Sequence, residues 1–96
     1  MKLNHLFTKP KKVYYRGTNN GDEENLVRTN KLRPSINHVN NVTEKGISVS
    51  DVSDVGQYFK YMYCLTGKEI GLGSDGEPLL DPKTIKFIKW INPPNN

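Results

Sequence analysis

Short apolar or alternating segments dominate the chain, and glycine, proline or asparagine residues bound most of them. Such segments are typical of β-strands joined by turns. Residues 36–45 are polar, and we predict a loop there. The pattern predicts six strands, at residues 13–16, 46–50, 61–66, 68–72, 77–80 and 84–91.

Two segments have the features of short helices. Residues 22–32 begin with acidic side chains and end with basic ones, as the helix dipole favours, and Pro34 closes the segment. A second brief helix, with Asp51 or Ser53 as its N-cap, is predicted to run to Phe59. This order of elements predicts an α+β fold in which strands dominate the second half.

Composition limits the size of the core. The chain has 96 residues, of which 34% are apolar, whereas globular proteins average about 45–50% on a count that includes glycine. A chain of this length forms one domain. We therefore predict a basic N-terminal tail at residues 1–12, a single domain at residues 13–91 and a disordered tail at residues 92–96.

The distribution of apolar residues indicates in which cellular compartment the protein is expected. No apolar run approaches the roughly 18 residues of a membrane span, so we expect no membrane partner. The basic start contains only scattered apolar residues, and we expect a cytoplasmic protein whose delivery into another cell stays open. The single cysteine, Cys64, lies mid-strand and is predicted to be a small buried hydrophobe. Without a Cys/His cluster, we expect no metal.

The formal net charge of +4 is unevenly distributed along the chain. Residues 1–16 carry five basic side chains and no acidic ones, residues 17–80 carry six against nine, and residues 81–96 carry three against one. The basic character therefore belongs to the two ends. These ends are either solvated tails or docking segments for an acidic protein or a nucleic acid.

Three motifs could carry chemistry: an arginine before a glycine, a Ser-x-Ser strand and an acid-x-Glu turn, at Arg16-Gly17, Ser48-Val49-Ser50 and Asp75-Gly76-Glu77. After Glu77 come an aliphatic strand, a proline turn at Asp81-Pro82 and one more strand. In this order the motifs resemble the Arg–Ser–Glu branch of the ADP-ribosyltransferase family. The resemblance covers roughly residues 14–88, and the spacings are compressed, which suggests a minimal version of that fold.

The resemblance implies a fold and an activity. The fold would be two small, packed β-sheets of antiparallel type with one or two short helices and a cleft that holds NAD. The activity would be mono-ADP-ribosyltransferase, which cleaves the nicotinamide–ribose bond of NAD and transfers ADP-ribose to a macromolecular acceptor. We expect a protein acceptor, with nucleic acid as a further possibility, as in small toxins and effectors. With water as acceptor, the same chemistry is NAD glycohydrolase activity.

The resemblance also assigns roles to the motif residues. Breaking the nicotinamide–ribose bond creates an oxocarbenium-like centre, which the carboxylate of Glu77 would stabilise. Ser48 would bind the nicotinamide ribose or orient Glu77, and Ser50 would support it from the same strand face. Arg16, with its forked donors, would hold a phosphate or ribose of NAD beside Gly17.

Two further expectations follow from the resemblance. Tyr58, Tyr61 or Tyr63 would stack on the nicotinamide, and the sequence does not distinguish among them. Asp75 stands where the family more often has Glu or Gln, at the position tied to the choice of acceptor, so the acceptor side chain stays open.

Each motif residue also has a structural interpretation. Arg16 can be a surface cation that closes a strand, Ser48 and Ser50 the solvent face of an edge strand, and Glu77 a turn residue before a proline. The alternative function is therefore a non-catalytic, small β-rich module that binds a protein partner or RNA through its basic ends. The two hypotheses differ in whether Arg16, Ser48 and Glu77 converge on one cleft.

Overall fold

Strands make up most of the ordered secondary structure in the computed structural model, which describes residues 12–34, 36–37 and 42–94. The elements, in chain order, are β1 (Tyr14–Thr18), α1 (Glu23–Arg28), β2 (Ile36–Asn37), β3 (Val42–Thr43), β4 (Ile47–Ser48), a 3₁₀ helix (Ser53–Tyr58), β5 (Tyr61–Thr66), β6 (Glu69–Leu72), β7 (Pro78–Leu80) and β8 (Lys86–Asn92). The predicted α+β class, rich in β-structure, is confirmed.

The strands form two three-stranded antiparallel sheets and one two-stranded ribbon. The first sheet has the order β1-β5-β8, the second has the order β4-β7-β6, and β2 pairs with β3. The two larger sheets meet where Tyr15 of β1 pairs with Ser50, just after β4. Both backbone hydrogen bonds of this pair form, at 2.7 and 2.8 Å.

Both sheets contribute to a single hydrophobic core. Tyr63 and Leu65 come from the first sheet, Ile47 and Leu80 come from the second, and all four are almost fully buried. Burial of each such side chain contributes about 1.5–3 kcal/mol. The sheets are therefore packed against each other through these side chains.

The central strand of the first sheet, β5, is the most buried of the described strands. Its residues Met62 to Leu65 are all buried, so both faces of the strand are covered. A continuous apolar run of this length is the sequence pattern of such a strand. Cys64 is 3% exposed, which confirms the prediction of a small buried hydrophobe.

The helix α1 is shorter than predicted. It ends at Arg28, because Asn30 adopts a left-handed backbone conformation (φ 58°) and turns the chain. The amide of Lys31 then donates to the carbonyl of Leu26 at 2.8 Å. This turn directs Leu32 into the core instead of continuing the helix.

Other boundaries also differ from the sequence predictions. Residues 36–45, predicted to be a loop, contain β2 and β3, and the second predicted helix is a 3₁₀ helix. The last strand runs to Asn92, into the segment predicted to be a tail, and the Asn92 side-chain amide donates to the carbonyl of Lys60 at 2.8 Å. Residues 1–11, most of the predicted basic tail, lie outside the described residues, as do Asn95 and Asn96.

Candidate functional site

The three motifs lie on neighbouring strands. Arg16 is in β1, Ser48 is in β4, and Glu77 directly precedes β7. The pair between Tyr15 and Ser50 joins β1 to the residues after β4. Strand β4 in turn pairs with β7 along its whole length. The segment around β4 therefore lies between the arginine strand and the glutamate strand.

Arg16 and Ser48 are in direct contact. The Nη1 atom of Arg16 donates a hydrogen bond of 2.7 Å to the backbone carbonyl of Ser48. The Nε atom of the same guanidinium donates to the Oε1 atom of Glu23, at the start of α1. The Arg16 side chain is 13% exposed, so it is an interior cation and does not lie on the surface.

Glu23 is the centre of a buried polar cluster, which we call the Glu23 network and which consists of Arg16, Thr18, Glu23 and Tyr63. The Thr18 hydroxyl donates to Oε2 of Glu23 at 2.6 Å, and the Tyr63 hydroxyl donates to Oε1 at 2.6 Å. Glu23 is 4% exposed. In the described part of the chain, every buried side-chain nitrogen or oxygen has a hydrogen-bond partner. The buried charges are therefore paired and fully bonded, as burial requires.

The Glu23 network keeps Tyr63 neutral. Burial raises the pKa of the Tyr63 phenol far above 10.0, and the nearby Arg16 cation opposes this only in part. The proton of Tyr63 therefore stays on the phenol and is donated to Glu23. Neither Glu23 nor Thr18 is among the predicted site residues. An acidic residue in the first turn of a helix, such as Glu23, is usually explained by the helix dipole.

Glu77 folds back over the turn that precedes it. Its Oε1 atom accepts a hydrogen bond of 3.0 Å from the amide of Asp75, and its backbone carbonyl accepts one of 2.7 Å from the amide of Gly73. A Cβ atom at Gly73 would lie 2.5 Å from the Glu77 carboxylate. The described residues give the Oε2 atom of Glu77 no hydrogen bond. The side chain of Glu77 is half-buried, whereas Asp75 is exposed.

Ser50 and Gly17 have local structural partners. The Ser50 hydroxyl accepts a hydrogen bond of 3.1 Å from the amide of Val52. A Cβ atom at Gly17 would lie 2.2 Å from the ring of Phe59. The ring of Phe59 therefore fills the space that this glycine leaves.

The three candidate tyrosines lie in different environments. Tyr58 is 74% exposed, at the end of the 3₁₀ helix. Tyr61 is half-buried, and its ring meets Trp90 edge-on at 6.3 Å between centroids. Tyr63 is fully buried and stacks on Phe87 at 5.1 Å. Stacking on nicotinamide is thus ruled out for Tyr63, because its ring is already covered by the core.

A separate surface pocket of about 290 Å³ lies at the other end of β5 from Tyr61. None of the motif residues lines it. The pocket is lined by Lys12, Thr66, Gly67, Lys68 and Thr84.

No family model, no curated protein and no solved structure matches this sequence. Within the described ranges, the structure forms no group of three His, Cys, Asp or Glu side chains that could hold a metal ion. The same part of the chain also contains no helix of the length and apolarity needed to cross a bilayer.

Proposed function

We propose that this chain is a minimal ADP-ribosyltransferase that cleaves the nicotinamide–ribose bond of NAD. The observation that carries the proposal is the adjacency of the three motif strands: β1 pairs with the residues after β4, and β4 pairs with β7. Arg16 and Glu77, the outermost of the three motif residues, are 77 − 16 = 61 positions apart in the sequence. Their strands nevertheless meet at the junction of the two sheets.

Glu77 provides the charge that this reaction needs. When the bond between nicotinamide and C1′ of the ribose breaks, its electron pair leaves with neutral nicotinamide, and positive charge develops on the ribose. A fixed carboxylate beside that centre stabilises the transition state. The amide of Asp75 orients the Glu77 carboxylate through Oε1, and Oε2 is then directed to the substrate. The acceptor atom bonds to C1′ and releases its proton to solvent.

Arg16 and Ser48 support this arrangement from the neighbouring strands. The bond from Nη1 of Arg16 to the Ser48 carbonyl holds β1 against β4, and the Glu23 carboxylate fixes the guanidinium from the other side. Arg16 is therefore a positioning residue in this proposal.

The hydrogen bonds that Arg16 and Glu77 already make within the protein favour a second candidate function. The Arg16 donors Nε and Nη1 are bound within the protein, and Glu77 accepts from its own turn. These contacts also suit a non-catalytic module in which both residues only stabilise the fold. Such a module would bind a protein partner or RNA through its basic ends.

One experiment separates the two candidates. Purified protein is incubated with NAD labelled on the ADP-ribose part and with cell lysate, and nicotinamide release and labelled acceptor are measured. Glu77→Gln is the test variant, because glutamine keeps an acceptor for the Asp75 amide but lacks the charge. We expect a loss of about 100-fold or more in nicotinamide release.

The control variant is Asp54→Asn, which removes an exposed carboxylate from the 3₁₀ helix. It should release nicotinamide at the wild-type rate. If the folded wild-type protein neither binds NAD nor releases nicotinamide, the transferase proposal is wrong. Capture of protein or RNA from the lysate by that inactive protein would then support the binding module.

A further inference from the structure

The pocket near the end of β5 has a basic, hydroxyl-rich lining. Of the described residues that line it, two are lysines, two are threonines, one is a glycine, and none is acidic. Its volume of about 290 Å³ is close to the lower limit of about 300 Å³ for small-molecule sites. A pocket of this size accommodates a phosphate group with a short organic part, but not a whole dinucleotide.

The two threonines fix the backbone of the two lysines. The Thr66 hydroxyl donates to the carbonyl of Lys12 at 3.1 Å. The amide of Lys68 donates to the Thr84 hydroxyl at 2.9 Å, and the carbonyl of Lys68 accepts from the amide of Asp81 at 2.8 Å. The backbone of each lysine is therefore fixed at the pocket, and both side chains start from defined positions.

The lysine charges are available to a ligand. The described part of the chain places no carboxylate within ion-pair distance of Lys68. Lys12 has a 3.5 Å contact with Asp51 and its ammonium group lies 5.0 Å from the centre of the Tyr14 ring. The Lys12 and Asp51 side chains are more than half exposed, and such exposed contacts are weak.

Two other carboxylates near the pocket are already hydrogen-bonded. Glu69 accepts a 2.9 Å hydrogen bond from the hydroxyl of Tyr14. Asp81 accepts one of 3.0 Å from the amide of Lys83 through Oδ1. Neither carboxylate belongs to the pocket lining, so neither contacts an anion bound there.

We propose that this pocket binds a small phosphate monoester between Lys12 and Lys68. The ammonium groups supply charge-assisted hydrogen bonds to the phosphate oxygens, and the 290 Å³ volume holds the organic part. The site shares no residue with Arg16, Ser48 or Glu77, and it is independent of the transferase proposal. Glu77→Gln should therefore bind the monoester as the wild type does.

The test is a calorimetric titration with glycerol phosphate, with glycerol and inorganic phosphate as comparison ligands. We expect binding of glycerol phosphate and none of glycerol. Lys68→Gln should weaken binding by about tenfold or more, the effect of losing one hydrogen bond to a charged group. Asp51→Asn should strengthen binding several-fold, because it removes the internal competitor for Lys12.

The matched control is Lys60→Gln, which removes one exposed lysine at the opposite end of β5. It should leave the affinity unchanged. An equal loss in Lys60→Gln and Lys68→Gln would mean that only net charge matters, and it would overturn the proposal. No binding of glycerol phosphate at millimolar concentration would do the same, and equal affinity for inorganic phosphate would refute a contact with the organic part.

Discussion

At the scale of single residues, Glu23 has the largest structural role of the charged side chains described. Its carboxylate accepts hydrogen bonds from Arg16, Thr18 and Tyr63, which come from two strands of the first sheet. A buried charge of this kind is tolerated only because each oxygen is bonded and the opposite charge is adjacent. The network therefore connects α1 to β1 and β5 through one side chain.

The buried position of Glu23 predicts that truncating its side chain strongly lowers the stability of the protein. Glu23→Ala leaves the interior Arg16 cation without its carboxylate and the Tyr63 hydroxyl without an acceptor. We expect the free energy of unfolding to fall by about 3–5 kcal/mol, measured by urea denaturation. Asp22→Ala, next in the chain, is the control, because Asp22 is exposed and makes no side-chain cap hydrogen bond. A similar small effect of both variants would contradict the assigned role of Glu23.

At the scale of secondary-structure elements, α1 is attached to the edge strand β8 by Glu24. Oε2 of Glu24 accepts from Nε of Arg28 at 2.7 Å, and Oε1 accepts from the Trp90 indole at 2.8 Å. The Arg28 guanidinium also lies 5.1 Å from the centre of the Phe87 ring. Six residues are too few for a helix that is stable alone, so these contacts with β8 hold it in place.

The same contacts predict an acid-sensitive attachment. The hydrogen bonds from Arg28, and then from Trp90, lower the pKa of Glu24 in the folded protein below 4.5. The stabilisation is therefore present above a pH of about 4.5 and is lost as the pH falls through the lowered pKa. Between about pH 6 and pH 3, Glu24→Gln should lose less unfolding free energy than the wild type. Asp54→Asn should follow the wild-type curve, and parallel curves for all three proteins would refute the prediction.

At the scale of the whole molecule, the two sheets depend on one core. Leu80 lies in the second sheet, yet it belongs to the same buried cluster as Tyr63 and Leu65 of the first. The pairing of Tyr15 with Ser50 also joins the sheets through the backbone. Neither sheet has enough apolar residues for a separate core, so both should unfold together.

Leu80→Ala tests this dependence. The substitution creates a cavity in a fully buried position and should lower the unfolding free energy by about 2–5 kcal/mol. Fluorescence of the single tryptophan, Trp90 in the first sheet, should shift to the same lower midpoint as the far-UV circular dichroism. Ile88→Ala, at an exposed position of β8, should change the stability little. An unchanged Trp90 midpoint in Leu80→Ala would mean that the sheets unfold separately.

The sequence by itself determined the features that depend on neighbouring residues. The apolar run of β5, the burial of Cys64 and the turn before Glu77 all follow from local patterning, and the structure contains each of them. Alternation and turn residues act over a few positions, so a linear reading captures them. The end of α1 was missed because Pro34 was used as the stop signal, whereas the helix ends earlier at Asn30, whose left-handed conformation asparagine tolerates.

Only the tertiary structure decided which distant residues meet. It brings Tyr63 into hydrogen-bond contact with Glu23, 40 positions away in the sequence, and it packs the ring of Phe59 against Gly17. Such contacts depend on how the two sheets pack, and no local pattern encodes them. The same packing makes Arg16 an interior cation paired with Glu23, so the structural alternative of a surface cation is wrong. A buried charge needs a bonded partner, and that partner is found only when the chain is folded.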